Sequence, residues 1–167
     1  MTDLEAREYQ PPEHYEVEMG EQMRVEYPNK VTTGGIATCH AVGIINSQKK
    51  IGYLGHFLSE DGRSVEALLN QAISEATGAQ DLVVGLAGNK PQSQEVVDSY
   101  GGNLQESMND CSKYGRWLLA LLKRNGIETT KIQNALSNNP DDDSYEMEVD
   151  TETGKITIKK EEFEDDF

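Results

Sequence analysis

Ala41 to Asn46 and Ile51 to Leu58 are two short apolar runs, parted only by Ser47-Gln48-Lys49-Lys50. Runs of this length with a polar break of this kind read as strand, turn and strand. They commit the middle of the chain to a sheet. Val65, Leu68, Leu69, Ala72 and Ile73 follow at spacings that put five apolar side chains on one helical face. Asp61 or Ser64 can cap the start of that helix, and Gly78 suits its stop. The run Asp81 to Gly88 then predicts a buried strand ending in a loop. Residues 89–109 show little pattern beyond a short helix over Gln94 to Ser99. A second amphipathic helix is predicted over Asp110 to Arg124, carrying Tyr114, Trp117, Leu118, Leu121 and Leu122 on one side and ending at Asn125-Gly126. Thr129 to Asn134 reads as a strand, and Asn138 to Asp143 as a loop. In the segment from Ser144 to Lys160, Tyr145, Met147 and Val149 alternate with acids, and Ile156 and Ile158 alternate with Lys and Thr. Thr151-Glu152-Thr153-Gly154 turns between them, so an antiparallel hairpin with one buried face is expected. The fold class is therefore α+β or mixed α/β, with mostly antiparallel strands layered under helices.

A chain of 167 residues is large enough for one domain with a real core. Apolar residues make up 36%, below the ~45–50% of an ordinary globular chain on a similar count. The deficit sits at the ends. Residues 1–24 form a polar, acidic arm, expected to be flexible or loosely docked, and 161–167 an acidic tail, with the folded domain over 25–160. The formal net charge of −15 argues against a nucleic-acid surface and against docking on anionic lipid. The N-terminus lacks a basic start and an apolar stretch, so it does not read as a secretory signal. Trp117 to Leu122 is far too short to span a bilayer. Cys39 and Cys111 are read as thiols in a reducing, cytoplasmic compartment. No membrane insertion is expected, and a monomer is.

The segment from Val31 to His40 is the most unusual. Gly34-Gly35 allows a sharp turn, and Cys39 follows at the head of an apolar strand. Backbone N–H groups around such a turn can converge on one point, as an acyl-transfer oxyanion requires. A thiol with its ordinary pKa of ~8.5 is mostly protonated at neutral pH and needs a base. His14 lies in the polar arm. His40 adjoins Cys39, and strand neighbours point to opposite faces. His56, on the next strand, is the base that geometry favours. By spacing alone, a lone cysteine on an apolar strand, as Cys39 is, is more often a small core residue than a nucleophile. Cys111 opens the second predicted helix, where a helix N-terminus could activate it in part, but it has no histidine nearby in sequence and reads as structural. No Cys/His cluster could build a metal site, and no cofactor is expected.

The segment TTGGIATCHAVGI followed by IGYLGHFL resembles the CheD family of chemoreceptor glutamine deamidases. Thr33 stands six positions before Cys39 and His56 seventeen after it, matching the family's Thr, Cys and His. The likeness runs in order through SVEALLNQAISEATGA, DLVVGLAG, WLLALLKRNGIETTKIQ and EMEVDTETGKITIKK, covering about residues 25–160. Two departures mark a distant member. The family's Gly-Ser-Cys is Ala37-Thr38-Cys39 here, and its late Gly-Gly and Arg motif is absent from Ala135 to Pro140. The resemblance implies a layered deamidase fold and a Cys39–His56 dyad. It implies that Thr33 orients the imidazole through its hydroxyl, with Thr32 as a rival. It further implies deamidation of a protein glutamine to glutamate through a thioester. The implied substrate is a chemoreceptor, and the implied partner a CheC-type phosphatase. Two alternatives stay open: another thioester-forming amidohydrolase or acyl transferase, and an interaction module of chemotaxis-type signalling with weak or lost activity.

Overall fold

The strands of the described residues pair into two sheets. A computed structural model describes residues 11–161. In chain order the elements are β1 His14–Glu16, β2 Gln22–Glu26, β3 Lys30–Ile36, β4 His40–Asn46, β5 Ile51–Phe57, α1 Gly62–Glu75, β6 Leu82–Gly88, α2 Gln94–Ser99, α3 Leu104–Arg124, β7 Ile132–Leu136, β8 Tyr145–Asp150 and β9 Lys155–Lys160. One sheet has the order β2-β5-β4-β6-β7 and the other β1-β3-β8-β9. Only the β1/β3 and β6/β7 pairs are parallel. The fold is mixed α+β, as the patterning predicts.

The five-stranded sheet is buried on both faces. On one face, Val42, Ile44, Tyr53, Val84 and Leu86 pack against Leu68 and Leu69 of α1 and Leu118 and Leu122 of α3. On the other, Ala41, Ile45, Leu54 and Ala87 meet Val31, Met147, Val149 and Ile156 of the second sheet. The second sheet comes very close, because glycines face it. A Cβ on Gly85 would lie 2.7 Å from Ile156 Cγ2, and one on Gly43 2.8 Å from Met147 Sδ. Helix α1 is tied to the edge strand β2 by Arg24, which bonds Glu75. No helix among the described residues is long and apolar enough to cross a membrane.

The observed elements depart from the predicted ones at several places. Residues 11–24, assigned to a polar arm, contain β1 and the start of β2, and Val17 between them is buried. Backbone pairing with β3 and β5 holds this stretch, so its polar side chains are no obstacle. Residues 1–10 and 162–167 lie outside the described residues. Helix α3 begins at Leu104 rather than Asp110, with Asn103 accepting from the Glu106 N–H as its cap. Residues 129–131 form a single 3₁₀ turn, and β7 starts only at Ile132. Helix α1 is capped by Asp61, which accepts from the Ser64 N–H, and it stops at Glu75, short of Gly78.

Candidate active site

Strand register decides which side chains can meet. In the β4/β5 pair Ala41 sits opposite His56. Cys39 is two residues before Ala41, so it projects to the same face as His56 as its diagonal neighbour. The Cys39 Sγ to His56 Nε2 distance is 2.8 Å. That face looks toward the second sheet, from which Thr33 of β3 reaches across. Its Oγ1 lies 2.7 Å from His56 Nδ1. The three predicted residues are thus brought together, with Cys39 and His56 on one sheet and Thr33 on the other. Thr32 points away and bonds His14 instead.

The hydrogen-bond pattern fixes the tautomer of His56. Thr33 Oγ1 also lies 2.8 Å from the Val17 carbonyl oxygen. A carbonyl can only accept, so the single hydroxyl proton of Thr33 goes to Val17. Toward His56 the hydroxyl then offers a lone pair, and Nδ1 must carry the ring proton. Nε2 is left bare and faces the thiol. Burial alone lowers the pKa of His56 below its usual 6.5, so the ring stays neutral and basic at neutral pH. The imidazole is only 2% exposed, beneath the strap from Val17 to Glu21. The strap also pairs with the His56 backbone: Gly20 N–H donates to the His56 carbonyl, and His56 N–H to the Glu21 carbonyl.

Cys39 closes a bend, Ala37-Thr38-Cys39, between β3 and β4. The carbonyls of this bend are turned inward. Lys90 N–H donates to Ala37 and Asn89 N–H to Cys39, at 3.0 and 2.8 Å. Gly88 makes this approach possible: its φ is +88°, and a Cβ there would lie 2.5 Å from the Cys39 carbonyl oxygen. Among the described residues, the N–H groups of Ala37, Thr38 and Cys39 have no acceptor. Gly34 and Gly35, read from the sequence as a sharp turn, form instead a register shift within β3, held by Glu161, whose carboxylate accepts from the Gly35 N–H at 2.6 Å. A cleft of about 270 Å³ opens beside the bend at Thr38 and Ser59, under Tyr100, and its wall carries Glu60, Glu106 and Asp110.

No family model matches this chain, and no curated protein matches its sequence. A neutral imidazole against a thiol, with unpaired N–H groups on the same bend, can take a proton from sulfur and hold a developing oxyanion.

The remaining candidates fall outside this arrangement. His40 is fully buried on the opposite face of β4, where its Nε2 meets the Tyr114 hydroxyl at 3.0 Å. Cys111 lies in the second turn of α3, not at its N-terminus. Burial, with Asp110 and Glu60 nearby, pushes its thiol pKa up, in keeping with a structural rather than an activated cysteine. Among the described residues no group of three or more His, Cys, Asp and Glu is placed to hold a metal. Two contributors escaped the sequence reading. The Val17 carbonyl has no side-chain signature. Asn89 had one: an Asn after glycine at a strand end suits the left-handed conformation it adopts, with φ +61°.

Proposed function

We propose that this protein is a cysteine-dependent deamidase of protein glutamine side chains. The observation that carries the reading is the relay from the Val17 carbonyl through Thr33 and His56 to Cys39, which leaves a bare Nε2 at 2.8 Å from the sulfur. His56 takes the thiol proton, and the sulfur attacks the glutamine amide carbon. The N–H groups of the bend receive the oxyanion. The C–N bond breaks, the imidazolium gives its proton to nitrogen, and ammonia leaves. Water activated by His56 then adds to the thioester, the C–S bond breaks, and glutamate and the thiol are released. Cys39 keeps only 6% of its surface in solvent, which suits a slender side chain such as glutamine. The resemblance to CheD makes a chemoreceptor the substrate to try first and a CheC-type phosphatase the partner to try first, in the cytoplasm.

The test is ammonia release from a glutamine-bearing receptor fragment, paired with iodoacetamide alkylation of Cys39 across pH. Cys39→Ala is expected to abolish release. His56→Ala is expected to slow it by about 10²–10⁴-fold, the usual worth of a general base, and to slow alkylation at neutral pH. If Cys39 alkylates no faster than free cysteine, and equally in His56→Ala, the catalytic reading is wrong.

A further inference from the structure

Asn89 is a buried polar residue in a backbone conformation that costs most side chains energy. It is 2% exposed, with φ at +61°. Its two donors go to two different elements. The backbone N–H donates to the Cys39 carbonyl at 2.8 Å, and Nδ2 donates to the Cys111 carbonyl on α3 at 3.0 Å. The next residue, Lys90, reaches the other inward carbonyl of the bend at Ala37. Lys90 is anchored in turn, its Nζ donating to the Asp142 carbonyl at 2.8 Å. The bend that carries the nucleophile is thus fastened to α3 through one side chain, and that side chain touches neither Cys39 Sγ nor His56.

We propose that Asn89 is a positioning residue that holds the Cys39 bend in register with His56 by tying it to α3; the inference rests on the dyad described above. Three properties make asparagine suited to this place. It tolerates positive φ better than other residues with a Cβ, it supplies an N–H₂ donor, and it is short enough to reach the adjacent helix. With the tie intact, the Ala37 and Cys39 carbonyls stay turned inward. The N–H groups of the bend then remain available, and the sulfur stays within reach of Nε2. Without the side-chain bond, the 88–90 segment is anchored only by its backbone and by Lys90, and the bend is free to drift from His56.

Two variants separate this role from simple packing. Asn89→Gly keeps the φ and the backbone donor and removes only the tie. Asn89→Asp keeps size and shape but aims an acceptor at the Cys111 carbonyl. Two readouts are taken on each: amide hydrogen exchange at residues 89 and 90, and the pH profile of Cys39 alkylation. In both variants, exchange at these two amides is expected to rise about tenfold relative to the centres of β4 and β6, the worth of one buried hydrogen bond. Alkylation at neutral pH is expected to fall toward the His56→Ala rate. Exchange and alkylation as in wild type would overturn the proposal, and so would a uniform rise in exchange across the sheet. If exchange at 89 and 90 rises as expected while wild-type Cys39 alkylates like free cysteine, Asn89 ties the bend to α3 but positions no dyad, and both the positioning role and the deamidase reading fail. A reactive wild-type Cys39 with unchanged exchange and alkylation in the variants overturns the positioning role alone.

Discussion

Thr33 shows how one proton decides the chemistry of a ring two bonds away. Because its hydroxyl must donate to Val17, His56 has no choice of tautomer. Thr33→Val removes both bonds and leaves the Val17 carbonyl and Nδ1 without partners. Alkylation of Cys39 at neutral pH should fall about tenfold, while Thr33→Ser stays near wild type. Mass spectrometry of the alkylated peptide measures both, and an unchanged rate in the valine variant would remove Thr33 from the relay. The dyad itself was legible. Strand parity alone separates His40 from Cys39, and a four-residue turn brings His56 back beside it. The choice of Thr33 over Thr32 rested on resemblance, and the structure supports it through the same parity rule: Thr33 faces the other sheet and Thr32 the outside. A backbone carbonyl such as that of Val17 could not be read at all, because any residue type can provide one.

Strands and helices with strong periodicity were legible, and elements held by other forces were not. The alternation in β8 and β9 states its buried face outright, and Met147, Val149 and Ile156 occupy it. The first turns of α3 carry Leu104, Gln105, Glu106 and Ser107, whose apolar period is too weak to show, although Asn103 with Glu106 three residues on is a start signal. Strand β1 is three residues long, and its place comes from the β3 backbone. The glycines of the five-stranded sheet had no visible purpose in sequence; the structure uses them as sockets for the second sheet. Gly85→Ala puts a methyl group 2.7 Å from Ile156 Cγ2 and is expected to cost about 1–3 kcal/mol. Trimming the opposing residue should relieve it: Gly85→Ala with Ile156→Ala should be less destabilised than the sum of the single variants. Urea unfolding of the four proteins tests this, and strict additivity would mean that the two sheets do not press on each other there.

At the scale of the molecule, stability should depend on pH through a residue on the opposite face of β4 from the proposed chemistry. His40 is sealed between β4 and α3 beside Phe57 and Tyr114, and its Nδ1 has no partner among the described residues. Burial pushes its pKa down from 6.5 to about 4. Unfolded, the same ring takes up a proton near 6.5, which the folded chain refuses until about 4. Its contribution is therefore complete above pH 6.5 and is lost as pH falls toward 4, on the order of 3 kcal/mol in all. Glu75, held below the usual carboxylate range by Arg24, moves stability in the same direction at lower pH. Melting curves of wild type and His40→Gln between pH 7 and 4.5 isolate the histidine, and equal slopes would refute the assignment. The order of strands along the chain also sets when the site is assembled. Thr33, which bonds His56, lies on β3, which pairs with β8, and β8 and β9 are the last strands of the described chain. During synthesis, Cys39 and His56 leave the ribosome about a hundred residues before β8, the strand that pairs with β3. On the proposed reading, a chain that stops short of β8 holds Cys39 and His56 without the strand that backs Thr33.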